Sequence, residues 1–223
     1  MDLQALTLTL RLALITTVLL LVVALPLAYW LSFAAGRWKP LVQAVVALPL
    51  VLPPTVLGFY LLVALGPTTW LGRGITRVLG HPLAFSFSGL VVGSVLYSLP
   101  FAVQPLVAGF AAVDRACMEA AATLGASPLR VFTSIILPLS RASLLTAAVL
   151  AFTHTVGEFG VVLMLGGNIP GTTRTLSISL YDQVQDFNYA AANRTAIVLL
   201  ALSFLALLVI YTRGRTARDN NLV

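Results

Sequence analysis

The sequence predicts an all-α membrane protein of about five transmembrane helices, built as one domain over residues 1–223, with one sizeable loop on the cytoplasmic side. Three observations predict it. Apolar residues make up 59% of the chain against 9% charged, and the mean hydropathy is +1.00, far from the composition of a soluble domain. The apolar residues gather into five runs near the length of about 20 residues that a helix needs to cross a hydrocarbon core. Nearly all of the 13 Lys and Arg fall between these runs rather than in a patch, which suits membrane loops and argues against a nucleic-acid surface.

The first run, Leu12–Phe33 (12–33), is too long for a signal-peptide core, Asp2 stands where such a peptide carries positive charge, and no small-residue cleavage site follows; it reads as a retained helix. The second, Leu41–Leu65 (41–65), is interrupted by Pro49, Pro53 and Pro54, and the third, Phe85–Phe110 (85–110), by Pro100 and Pro105. Each proline removes a backbone donor. Broken backbone in lipid must be buried in protein or face a water-filled cavity, so these spans either wall a pathway or kink for packing. Between them, Trp70–Leu79 has an apolar and a basic face, as expected of a helix lying in the outer interface, with a grip on an extracytoplasmic partner as the alternative. Ala142–Leu165 (142–165) and Thr195–Tyr211 complete the set, the last starting a few residues early (192–211).

Five spans place the termini on opposite sides. A cytoplasmic C-terminus puts Arg37, Lys39, Arg115, Arg130, Arg141, Arg213, Arg215 and Arg218 inside, leaving Arg11, Arg73, Arg77, Arg174 and Arg194 of the 13 basic residues outside. Positive charge prefers the inside, so the N-terminus is expected outside.

The loop over 114–138 has a helical grammar. Glu119 to Leu124 are acceptable helix formers, Gly125 is a C-terminal stop, and Ser127-Pro128 reads as an N-cap followed by proline at the first helical position. Two short helices joined by a tight turn should project from the membrane, presenting small residues that let a partner approach closely. Cys117, the single cysteine, excludes an intrachain disulfide and reads as a bystander.

Glu119-Ala120-Ala121, Gly125, Ile135, Leu137 and Pro138 reproduce without mismatch the EAA signature of bacterial ABC-importer permeases. The chain resembles that family. The resemblance implies a type I permease fold in which the loop is a coupling element, with Glu119, Ala120, Ala121 and Gly125 on the motif and Ala126, Pro128, Leu129 and Arg130 in the coupling helix. It implies a cytoplasmic ATP-binding subunit, an extracytoplasmic binding protein, a second copy of the chain and a place in the cytoplasmic membrane. The chain's only lysine, Lys39, lies between Trp38 and Pro40, so no P-loop is present. ATP is therefore expected to be used by the partner subunit, with no cofactor and no catalytic residue here.

Two stretches, Ala47–Tyr60 and Gly157–Gly160 leading to Asn168–Thr175, resemble the permeases of molybdate importers, a pattern shared with sulfate and tungstate permeases. A dianion crossing a low-dielectric region needs polar donors and little negative charge along its way. Pro53, Pro54, Thr55, Ser98, Thr153 and Thr155, with Gln104, are candidates for the pathway, the alternative for each hydroxyl being a bond within its own helix. Glu158 would repel an anion and is expected to be structural, paired with Arg174 or Arg194. Asp182 and Asp186 read as a solvated face. His154 and His81 lack the neighbours a metal site requires. An ion-coupled secondary transporter remains the alternative class; it would show paired repeats and several buried ionisable groups, where this chain offers Glu158 and no visible repeat.

Overall fold

A computed structural model describes residues 2–219, with side chains through residue 212; the side chains of Arg213, Arg215 and Arg218, counted above on the inner side, lie outside the described ones. Twelve helices run in order among the described residues. Helix α1, Leu3–Phe33, begins well before the expected Leu12. Asp2 caps it by accepting from the Ala5 amide at 3.0 Å. Thr7 and Thr9 donate to carbonyls four residues back, so polar residues that look like a boundary extend the helix.

The second apolar run is not one helix. Helix α2, Lys39–Ala47, passes through a 3-10 turn at Leu48–Leu50 into α3, Pro54–Ala64, across a bend of 109°. Pro49, Pro53 and Pro54 cause it: prolines supply no donors, and each disfavours helix in the residue before it. Helix α4, Trp70–Leu79, is capped by Thr69 and ends at Gly80, whose φ is +77°. Helix α5, Phe87–Ala111, carries Pro100 and Pro105 internally.

Helices α6, Arg115–Thr123, and α7, Pro128–Val131, form the expected pair. A π turn at Phe132–Ile136 and α8, Leu137–Leu139, follow, and the chain bends by 75° into α9, Arg141–Gly157. The fourth apolar run is divided as well, because α9 stops at Gly157 and α10, Gly160–Gly166, starts after Glu158 and Phe159. Helix α11, Leu176–Gln185, crosses back to α1, where the Thr9 hydroxyl accepts from the Leu176 amide at 2.8 Å. Helix α12, Tyr189–Asp219, begins near the early start expected for the last run, where Asn188 caps the Ala191 amide.

Among the described residues three helices are long and apolar enough to cross a membrane alone, and up to five spans result if each bent pair counts as one. The core is where α1, α5 and α9 meet: Leu20, Ala24 and Ala28 pack on Val103, Leu106 and Phe110 and on Ala147 and Ala151. Small residues allow this closeness, since helices in lipid gain from contact rather than from water exclusion. A Cβ on Gly109 would collide with Ser143.

Candidate functional site

The arm over 114–138 is held by local bonds. Asp114 Oδ1 accepts from the Ala116 amide at 2.9 Å to start α6. At its end the Gly125 amide donates to Ala122 O and the Ala126 amide to Ala121 O, each at 3.0 Å, the paired bonds of a Schellman stop. Gly125 has φ +81° with open space around it, so conformation and not crowding demands glycine. Ser127 Oγ then accepts from the Arg130 amide at 3.3 Å and Pro128 opens α7.

The arm has two faces. Val131 and Ile136 are buried, and the Phe132 ring meets Tyr29 of α1 at 5.3 Å and Phe110 of α5 at 5.9 Å, edge-on in both cases. Glu119, Ala120, Gly125, Pro128 and Arg130 are exposed, Ala121 and Ala126 half-buried. Leu124 is 89% and Leu129 71% exposed. These apolar tips are exposed on a fixed turn, and the Phe132 ring links the arm to α1 and α5. Glu119 makes no ion pair among the described residues. Cys117 is exposed.

The pathway candidates do not share one surface. Pro53 and Thr55 are exposed at the start of α3, with Pro54 half-buried. Ser98 and Thr155 are buried together between α5 and α9, 3.3 Å apart, and Ser98 shares a 2.8 Å hydrogen bond with His154 Nδ1. His154 stacks on Phe101 at 3.9 Å between ring centroids. Thr153 returns its hydroxyl to Val149 O at 2.8 Å, and Gln104 is exposed.

Glu158 pairs with neither arginine, which corrects that expectation. It is 4% exposed, and both carboxyl oxygens lack a hydrogen-bond partner among the described residues; Ser94 Oγ faces it from α5 without completing a bond. Arg174 instead donates from Nε to Asn168 Oδ1 at 2.6 Å and lies 3.7 Å from Asp182, which also accepts from Asn168 Nδ2 at 2.7 Å. The loop geometry is the reason. Gly167 turns with φ +65°, and Thr173 ties the returning strand to Gly166 O and the Ile169 amide, so Arg174 emerges beside α11. Arg194 stays exposed on α12 with its Nε on Ala190 O. Asp182 is therefore part of a clamp and not of a solvated face.

The broken spans meet each other. A Cβ on Gly160 would sit 2.7 Å from Pro54 Cβ and 3.2 Å from the Thr55 amide, and one on Gly58 2.8 Å from Met164 Cβ. Helices α3 and α10 thus lie almost backbone to backbone. One side of the broken α3 is covered by protein, while Thr55, Val56, Phe59 and Tyr60 face outward.

The description "Binding-protein-dependent transport system inner membrane component" matches residues 21–217. The chain belongs to this family. It is 53% identical to the molybdenum transport system permease protein ModB of Azotobacter vinelandii, across 96% of this chain and 95% of that one. It is 37% identical to the ModB protein of Escherichia coli across 81% of this chain and 80% of the relative. Among solved structures, the MetNI methionine ABC transporter in inward-facing conformations superposes with a TM-score of 0.74 at 18% identity, over 96% of this chain and 95% of the other. A bacterial alginate ABC transporter in complex with a pentasaccharide-bound periplasmic protein gives 0.75 at 18%, over 97% and 78%. These structures establish the type I importer-permease fold for this family member.

Two features escaped the sequence reading. The Asn168–Arg174–Asp182 clamp joins a loop to a helix across a turn, and the signal present was Asp182 placed one helix after the Arg174 loop. The partner of His154 comes from α5, and no local pattern announces it.

Proposed function

We propose that this permease is the membrane-spanning subunit of an ATP-driven molybdate importer. The observation that carries the reading is the exposed, locally locked turn at Gly125, in a chain that has no nucleotide-binding loop of its own. A membrane component shaped to dock and lacking an ATP site needs a separate ATPase; the arm from Glu119 to Arg130 is its seat. ATP is used by that cytoplasmic subunit, and this chain carries no cofactor.

The cargo reading draws on the relatives' names. An extracytoplasmic binding protein delivers the oxyanion, and a second copy of the chain completes the pathway, because five spans do not enclose one. The chain sits in the cytoplasmic membrane with its N-terminus outside and the arm inside, an orientation favoured by the positive charge of the inner loops. The outward side of α3, with Thr55, faces the route; Ser98 and Thr155, already bonded between α5 and α9, hold its wall and do not contact the anion.

The experiment is ATP hydrolysis in proteoliposomes holding the permease with its ATPase, challenged with binding protein loaded with molybdate, tungstate or sulfate. Stimulation by the molybdate-loaded form is expected. Stimulation by sulfate alone would replace the cargo, and retention of the ATPase by a Gly125→Val permease would remove the docking role of the turn.

A further inference from the structure

Phe87, the first residue of α5, is a shared wall between two grooves. One is an apolar trough of about 660 Å³ between α4 and α5, walled by Ile75, Val78, Leu83, Phe87, Val91 and Val92. The other, about 540 Å³, is mixed, with Gln4, Thr7, Arg11 and Thr172 beside Leu3 and Leu8. The Arg11 guanidinium lies over the Phe87 ring, 4.9 Å from its centroid, at the junction of the two. Arg11 is exposed, and the one ion pair among the described residues is Arg174–Asp182. The acid nearest along α1, Asp2, is engaged at the Ala5 amide. Arg73 and Arg77 on α4 add exposed positive charge and form no ion pair among the described residues.

Depth decides the occupant. From Phe33 back to Arg11, α1 rises about 33 Å at roughly 1.5 Å per residue, close to the thickness of a hydrocarbon core. Arg11 therefore stands at headgroup level. Val91 and Val92 lie about one turn inside α5 and so in the acyl zone, which a water-soluble protein does not enter.

We propose that these grooves bind one anionic phospholipid of the outer leaflet, its phosphate at Arg11 and an acyl chain in the α4–α5 trough. The inference rests on the reading that puts α4 at the outer face. Interfacial basic residues attract anionic headgroups, and a cation already oriented on an aromatic face loses little freedom on pairing.

The test is lipid retention by the purified full-length permease, read by native mass spectrometry after exchange into mixed phosphatidylglycerol and phosphatidylcholine. Wild type should keep phosphatidylglycerol over phosphatidylcholine by about fivefold, the effect of one basic residue near the headgroups. Arg11→Gln should abolish that preference, Arg11→Lys should restore most of it, and Arg194→Gln should leave it unchanged. Equal retention of the two lipids by wild type, or an unchanged preference in Arg11→Gln, overturns the proposal. Displacement of the lipid by millimolar glycerol phosphate also overturns it, in favour of a site for free anions. Retention is measured without transport, so its failure leaves the importer reading intact, and failure of the ATPase assay leaves the lipid site testable.

Discussion

Two helix breaks in this permease look alike in outline and differ in physics. At Gly125 the chain stops α6 and restarts at α7 in contact with solvent, and every bond that fixes the turn comes from within six residues. At Glu158 the chain stops α9 and restarts at α10 inside the protein, where a 4% exposed carboxyl completes no hydrogen bond among the described residues and glycine contacts from α3 hold the geometry. The first break is written locally and leaves apolar tips exposed at Leu124 and Leu129. The second exists because distant segments press on it, and it tolerates a poorly satisfied polar group that local chemistry would remove.

The largest test of that difference is Gly160→Leu. Pro54 and the Thr55 backbone have no room to yield, so overpacking should lower stability by about 3 kcal/mol or more, seen as a reduced thermal midpoint in detergent and loss of assembled complex. Gly125→Val should cost less, about 1–2 kcal/mol for a left-handed non-glycine residue, and should leave the thermal midpoint of the membrane helices nearly in place while ATPase co-purification falls. If Gly125→Val collapsed the whole fold, the turn would not be an independent local element.

Ser127→Ala removes the cap of α7 and should cost about 1 kcal/mol, with weaker ATPase retention as the readout. Arg174→Gln opens the Asn168–Arg174–Asp182 clamp; this partly exposed pair should contribute about 0.5 kcal/mol, measured as faster proteolysis of the 167–175 loop. Glu158→Gln should be smallest, within about 0.5 kcal/mol of wild type or stabilising, because a neutral amide replaces an uncompensated buried acid. A loss of several kcal/mol there would reveal a cationic partner and reverse the correction.

Legibility followed the same division. The Gly125 stop and Ser127-Pro128 were readable because caps and turns obey rules within a few residues. Helix α1 extends outward past the expected span because Thr7 and Thr9, polar in sequence, fold their hydroxyls back on the backbone in a helix. The Glu158–Arg174 pairing failed because charge sign says nothing about which loop delivers the arginine.

The sequence by itself determined the class: apolar length and charge placement required a helical membrane protein, since those properties depend on composition, and the EAA residues carried its resemblance to importer permeases. Tertiary structure alone decided that the broken second and fourth runs meet through Gly58 and Gly160, that Ser98 joins His154 and Thr155, and that Asp182 takes Arg174. The physical reason is contact between segments far apart in the chain, whose partners become definite only when helices pack.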